Sequence, residues 1–230
     1  MGLYLALIIP PLLLMLYAQW RVSSTFGKYN KVANERGMTG LEAARWLLDQ
    51  HNLQDVRLEM SKGKLSDHYD PRGRVLRLSP DVANKASVAS LGIVAHEVGH
   101  AVQHATAYGP LRLRNSLYPV ANLGSNFGFI LVLVGFLLYA FGASFGLNIA
   151  WAGVALFGAA VVFTVITLPV EFNASTRART MLRSTGLASV AEMNGASAVL
   201  SAAALTYVAA MLQAVAQLMY FVMLLMGGRR

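Results

Sequence analysis

Apolar positions along the chain fall into two patterns, long uncharged blocks and short periodic stripes. The blocks are Gly2 to Trp20, about Phe127 to Phe145, Ile149 to Val170, and Leu205 to Met226. A helix needs about 20 largely apolar residues to cross the hydrocarbon core of a bilayer, so each block predicts a transmembrane helix. The first contains Pro10-Pro11 and ends on an interfacial Trp20; with no basic leader and no small-residue cleavage site it reads as a retained, kinked anchor. The small-residue stretch Ala188 to Ala204 suits an interfacial helix or an extension of the last span.

The stripes occupy the segment between the first two blocks. Thr39 precedes Glu42 by three residues, a capping-box spacing, and Leu41, Ala44, Leu47 and Leu48 then form an apolar helical face. Asp55 to Met60 alternates as a strand does. Asp70-Pro71-Arg72-Gly73 is turn chemistry between two further strand candidates, Ser66 to Tyr69 and Arg74 to Ser79. A second helical run extends from Ser87 to about Ala105. The predicted architecture is mainly α and integral to the membrane, with about four transmembrane helices plus a small α+β domain. Its expected divisions are an anchor (1–20), the α+β domain (21–115), a helical hairpin (116–170), a helical segment (171–204) and a last span (205–230).

Composition agrees and adds detail. Of 230 residues, 13% are charged, against about 25% in soluble domains, and no Lys, Arg, Asp or Glu lies between Arg114 and Glu171. The net charge of +8 comes largely from residues beside the blocks: Arg21, Lys28, Lys31 and Arg36, then Arg112 and Arg114, then Arg177, Arg179 and Arg183. This arrangement fits attraction to a membrane surface rather than to nucleic acid, and it predicts a multi-pass cell-membrane protein with the α+β domain on the cytoplasmic side. Arg229 and Arg230 run against that rule if the fourth block spans. The absence of cysteine excludes disulfides, thiolate-held zinc and a thiol nucleophile.

The second helical run carries His96-Glu97-Val98-Gly99-His100. Positions i and i+4 share a helix face, so both imidazoles can grip one ion while Glu97 stands beside it, an arrangement suited to Zn2+ and activated water. Catalytic zinc takes a third protein ligand. Beyond Glu97 the chain has only two carboxylates, Glu171 and Glu192. Glu171, expected where the third span ends, is the stronger candidate, its alternative being an interfacial carboxylate paired with Arg177 or Arg179. Glu192 reads as a solvated residue. His104 continues the i+4 series, but three His at that spacing extend over about 12 Å of helix axis and cannot share an ion, so it reads as a supporting or structural residue.

H-E-V-G-H, followed much later by P-V-E-F-N-A-S-x-R-A and set among four hydrophobic segments, resembles the YugP-like neutral zinc metallopeptidases. More distantly it is similar to HtpX-type membrane gluzincins. The resemblance covers nearly the whole chain and implies a gluzincin-like peptidase domain with His96, His100 and Glu171 as zinc ligands and Glu97 as base. It departs from those patterns where an acid is expected: Ser175 stands four residues after Glu171, and Asn173 two after it. Asn173 can still accept a hydrogen bond that orients a ligand. In the resembled peptidases an edge strand holds the substrate, which nominates Arg74 to Ser79 or Ser66 to Tyr69. His68 and Tyr69 are then candidate substrate contacts, and Arg177 is a candidate to steady the oxyanion or simply marks the cytoplasmic side.

The function expected is a zinc-dependent membrane endopeptidase using zinc-activated water with Glu97 as general base, acting on a protein or peptide substrate in contact with the lipid bilayer. A site-2-type intramembrane protease would call for a downstream Asp, and none follows Asp81. The alternative of another class is a non-catalytic scaffold or partner-binding subunit with a closed structural metal site. Gly and Ala in the spans permit close packing with a membrane partner or a second copy.

Overall fold

The computed structural model describes residues 2–227, so Arg229 and Arg230 lie outside the described residues. Chain order is α1 (Gly2–Tyr29), α2 (Gly40–Gln50), β1 (Arg57–Met60), β2 (His68–Asp70), β3 (Val75–Leu78), α3 (Pro80–Ala83), α4 (Val88–Ala105), α5 (Gly109–Ala140), α6 (Gly146–Ser184) and α7 (Val190–Gly227). Among the described residues, four stretches are long and apolar enough to cross a membrane: Leu5–Tyr29 of α1, and α5, α6 and α7.

The helices outrun the uncharged blocks that predict them. The first continues nine residues past Trp20 to Tyr29, α5 begins at Gly109 rather than near Phe127, and α6 passes through Val170 and Glu171 to Ser184. Charge marks where a segment leaves the hydrocarbon, whereas backbone hydrogen bonding continues into water, so block and helix ends differ. Pro119 and Pro169 lie inside α5 and α6 without ending them; each forgoes one backbone bond, a loss that long transmembrane helices tolerate. At 1.5 Å per residue, 39-residue α6 is about 58 Å long, roughly twice the hydrocarbon thickness. From Val190 on, the small-residue stretch and the last block form one helix, α7, the second of the two arrangements expected.

The chain divides into two compact units. One comprises residues up to Tyr17, Arg112–Pro169 and those from Thr206 on. Here α5 and α6 meet backbone to backbone: a Cβ on Gly135 would collide with the Ala150 nitrogen. Small residues let helices approach this closely where lipid offers no hydrophobic drive for association. Val132, Ala150, Val154, Phe221 and Leu225 form the core of this unit.

The other unit comprises Ala18–Leu111 and Val170–Leu205. Helix α2 starts with the expected capping box: the Thr39 hydroxyl accepts from the Glu42 amide and the Glu42 carboxylate accepts from the Thr39 amide. Its inner face is Gly40, Ala43, Ala44, Leu47 and Leu48. Leu41, expected in that stripe, is 40% exposed, and Ala43 is buried instead. The sheet order is β1-β3-β2, with β3 parallel to β1 and antiparallel to β2. The segment Arg74 to Ser79 therefore supplies the central strand and offers no free edge, because both rows of its backbone groups are paired. The edge beside the turn is β2. Asp70 closes that turn by accepting from the Arg72 amide at 3.0 Å. Helix α4 is capped by Ser87, whose hydroxyl accepts from the Ser90 amide. Leu91, Val94, Ala95 and Val98 of α4 pack with Leu47, Leu76, Leu78 and Leu182 in the core of this unit.

Candidate metal centre

The site is built where α4 crosses the second half of α6. Gly99, between the two histidines, sets the approach: a Cβ there would stand 2.8 Å from the Ala174 carbonyl oxygen. Without a side chain at Gly99, α4 lies directly on α6, and Glu171, three residues before Ala174, faces His96 and His100. Glu171 Oε2 is 3.2 Å from His96 Nε2 and 3.4 Å from His100 Nε2. The imidazoles stand edge to face with centroids 4.7 Å apart.

These three side chains can each offer one ligand atom, all within 4.8 Å of one another. Two donors about 2.0–2.1 Å from a tetrahedrally coordinated zinc lie about 3.3–3.4 Å apart, which matches both His–Glu separations. The remaining ring nitrogens are also partnered as metal-binding imidazoles require. Ser175 Oγ is 3.2 Å from His96 Nδ1, and Gln103 Oε1 is 3.0 Å from His100 Nδ1. Both rings thus turn Nε2 toward Glu171. The donor set, one carboxylate and two imidazoles without sulfur, fits zinc.

Burial strengthens the electrostatics. Glu171 is 2% exposed and Glu97 8%. Burial opposes protonation of the His100 ring, but the hydrogen bond and charge of Glu171, with the charge of Glu97, outweigh it and raise its pKa.

Other residues singled out from the sequence fall at varied distances from this cluster. His104 hydrogen-bonds through Nδ1 to the Tyr69 hydroxyl at 2.9 Å, and it is not one of the three grouped ligands. His68 is exposed on β2, donating from Nδ1 to the Ser66 carbonyl at 2.9 Å. Asn173 Oδ1 accepts from Gln103 Nε2 at 2.9 Å and from Arg177 Nε at 2.8 Å. The Arg177 guanidinium also lies 5.9 Å from the Tyr108 ring centroid. Ser175 occupies the place of the expected acid, against His96.

Glu192 departs from expectation. It is buried and accepts from the Glu35 amide and the Ser189 amide, each at 2.7 Å. Its carboxylate caps α7 and ties down the Glu35 backbone, so it is a structural residue rather than a solvated one. Gln103, fully buried, was not anticipated at all. Its only sequence signal is its place three residues after His100, which puts it on the same side of α4.

A family model described as "Putative neutral zinc metallopeptidase" matches residues 4–226. The chain is 47% identical over 227 residues to "Putative membrane protease YugP" of Bacillus subtilis (strain 168), an alignment covering 99% of this chain and 98% of that relative. No solved structure matches the chain.

Proposed function

The chain belongs to the neutral zinc metallopeptidase family, and from that premise we propose that it is a membrane-integrated, zinc-dependent endopeptidase of gluzincin type. His96, His100 and Glu171 hold the metal and Glu97 is the general base. The observation that carries this reading is the convergence of two imidazoles from α4 and a buried carboxylate from α6, their ligand atoms within 4.8 Å of one another and the carboxylate oxygen 3.2 and 3.4 Å from the two ring nitrogens. Zinc, when bound there, lowers the pKa of water and polarises a carbonyl.

The rest of the chemistry belongs to the chain. Glu97 follows His96 directly, so its carboxylate lies beside the ligand face, close enough for its charge to act on His100. A Glu97 oxygen takes the proton of the attacking water and delivers it to the leaving nitrogen of the cleaved peptide. Ser175 and Gln103 hold the imidazoles in place. Edge strand β2 lies in the same unit as α4 and can pair with an extended substrate backbone, which suits a protease of broad sequence tolerance.

Four helices long and apolar enough to span, together with similarity to a membrane protease, support a membrane location. The basic residues Arg21 and Lys28, Arg112 and Arg114, and Arg177 to Arg183 support placing the peptidase part, residues 21–115 with 171–204, on the cytoplasmic side. The test is Glu97→Gln in the purified full-length protein. Zinc content should stay near that of the wild type while hydrolysis of an unfolded protein falls by about 10²–10⁴-fold; undiminished hydrolysis would overturn the assignment of Glu97.

A further inference from the structure

Behind His100 runs a chain of hydrogen bonds with one permitted direction. Arg177 Nε can only donate, and it donates to Asn173 Oδ1 at 2.8 Å. That contact identifies the Asn173 atom as its carbonyl oxygen, so the Gln103 atom 2.9 Å from it is the amide nitrogen. The Val170 carbonyl, an acceptor only, receives a second bond from the same Gln103 nitrogen at 2.8 Å and fixes the amide independently. The Gln103 oxygen is then left facing His100 Nδ1 at 3.0 Å. A carbonyl oxygen cannot donate, so His100 keeps a proton on Nδ1 and presents Nε2 to Glu171 as the nitrogen a metal would take.

We propose that Arg177, Asn173 and Gln103 form a directional relay that sets the tautomer and ring orientation of His100 before metal arrives, with Gln103 as the positioning residue. The inference rests on the assignment of His96, His100 and Glu171 as zinc ligands. It gives the two histidines unequal supports. His96 Nδ1 meets the Ser175 hydroxyl, which can rotate to donate or accept. His100 meets an amide held at both ends, anchored through Asn173 by a guanidinium that can only donate. Gln103 is fully buried and bridges α4 to α6, so nothing in solvent can substitute for it.

The experiment measures zinc affinity of the full-length protein in detergent by competition with a chromophoric chelator, alongside the visible spectrum of the cobalt-loaded protein, which reports coordination geometry. Gln103→Leu should weaken zinc binding by about 10–100-fold, and Arg177→Met by about tenfold, both with altered cobalt spectra. In the Gln103→Leu background, Arg177→Met should cost nothing more, because its effect is transmitted through Gln103. Should Gln103→Leu fail to fold, Asn173→Ala takes its place in the cycle. Wild-type affinity and spectra in Arg177→Met, or an Arg177→Met effect that persists undiminished in the double variant, would overturn the relay. Glu171→Ala separates the two claims: if it loses zinc while the relay variants retain it, the relay alone fails, and if it binds zinc as wild type does, the ligand assignment fails and the relay with it.

Discussion

The placement of Gly99 between the two histidines makes Gly99→Ala a sharp test of how the fold builds its metal centre. A Cβ at this position would lie 2.8 Å from the Ala174 carbonyl oxygen, about 0.6 Å inside the 3.4 Å at which ordinary contact begins. The obstacle is helix backbone, so α4 and α6 must separate or tilt by about that amount. Zinc–ligand distances tolerate about 0.2 Å, and the proposed ligands sit on the two helices being pushed apart. Overpacking of this kind costs about 1–3 kcal/mol. If the apo protein relieves the strain by spreading the helices, zinc must draw them back, and its affinity falls by the same energy, about 5- to 150-fold. If the helices stay together, the cost appears as lower apo stability. Gly92→Ala, one turn from the N-terminus of the same helix, is the internal control. A Cβ there meets Ala196 at 3.4–3.5 Å, ordinary contact, so Gly92→Ala should be neutral or stabilising by up to about 1 kcal/mol through helix propensity. Thermal midpoints of chelator-treated protein and zinc affinity by chelator competition would be compared across the three proteins. A Gly99→Ala variant with wild-type values for both would refute the claim that backbone contact at Ala174 sets the site.

Two further outcomes follow from carboxylates outside the centre, Glu192 buried and Asp67 half-buried. Glu192→Ala strands the Glu35 and Ser189 amides and should lower stability by about 2–3 kcal/mol, while zinc affinity stays at the wild-type value; zinc loss at unchanged stability would mean that Glu192 is a ligand. Asp67 accepts from the Ser79 amide at 2.7 Å, yet burial pushes its pKa above the ordinary carboxylate value. A raised folded-state pKa means that its contribution to stability is complete below the unfolded value, near 4, and is lost as pH rises through the folded value. Asp67→Asn, which keeps an acceptor for Ser79 and never ionises, should melt above the wild type at pH 7, with the gap closing as pH approaches 4; a gap independent of pH would contradict this.

Local chemistry was the legible part of the sequence. The His96/His100 spacing, the Thr39/Glu42 box and the four apolar blocks depend on residues within a few turns of one another, and each reads directly as a helix face, a cap or a span. Glu171 was legible for a different reason: carboxylates are so scarce after Glu97 that few partners remained for the two histidines. What stayed hidden depends on contacts distant in the chain. Glu192 is buried by a backbone segment 157 residues away, and Gln103 acquires its meaning from Val170 and Asn173, 67 and 70 residues on. Strand order escaped for the same reason, since alternation identifies a strand but not its neighbours, and β3 lies between two strands that precede it in the chain. Helix ends escaped because the polar residues beyond each block still form backbone bonds, as Glu171 and Arg177 do within α6.

The central claim is that proteolysis by this chain depends on one zinc held among His96, His100 and Glu171. It is tested most directly by titrating zinc into chelator-stripped, full-length protein while following hydrolysis of an unfolded protein substrate. Activity absent from the stripped protein should rise in proportion to added zinc and level off at about one ion per chain, the stoichiometry of a single three-ligand catalytic site. Hydrolysis that survives stripping, or saturation with zinc that brings no hydrolysis, would contradict the account.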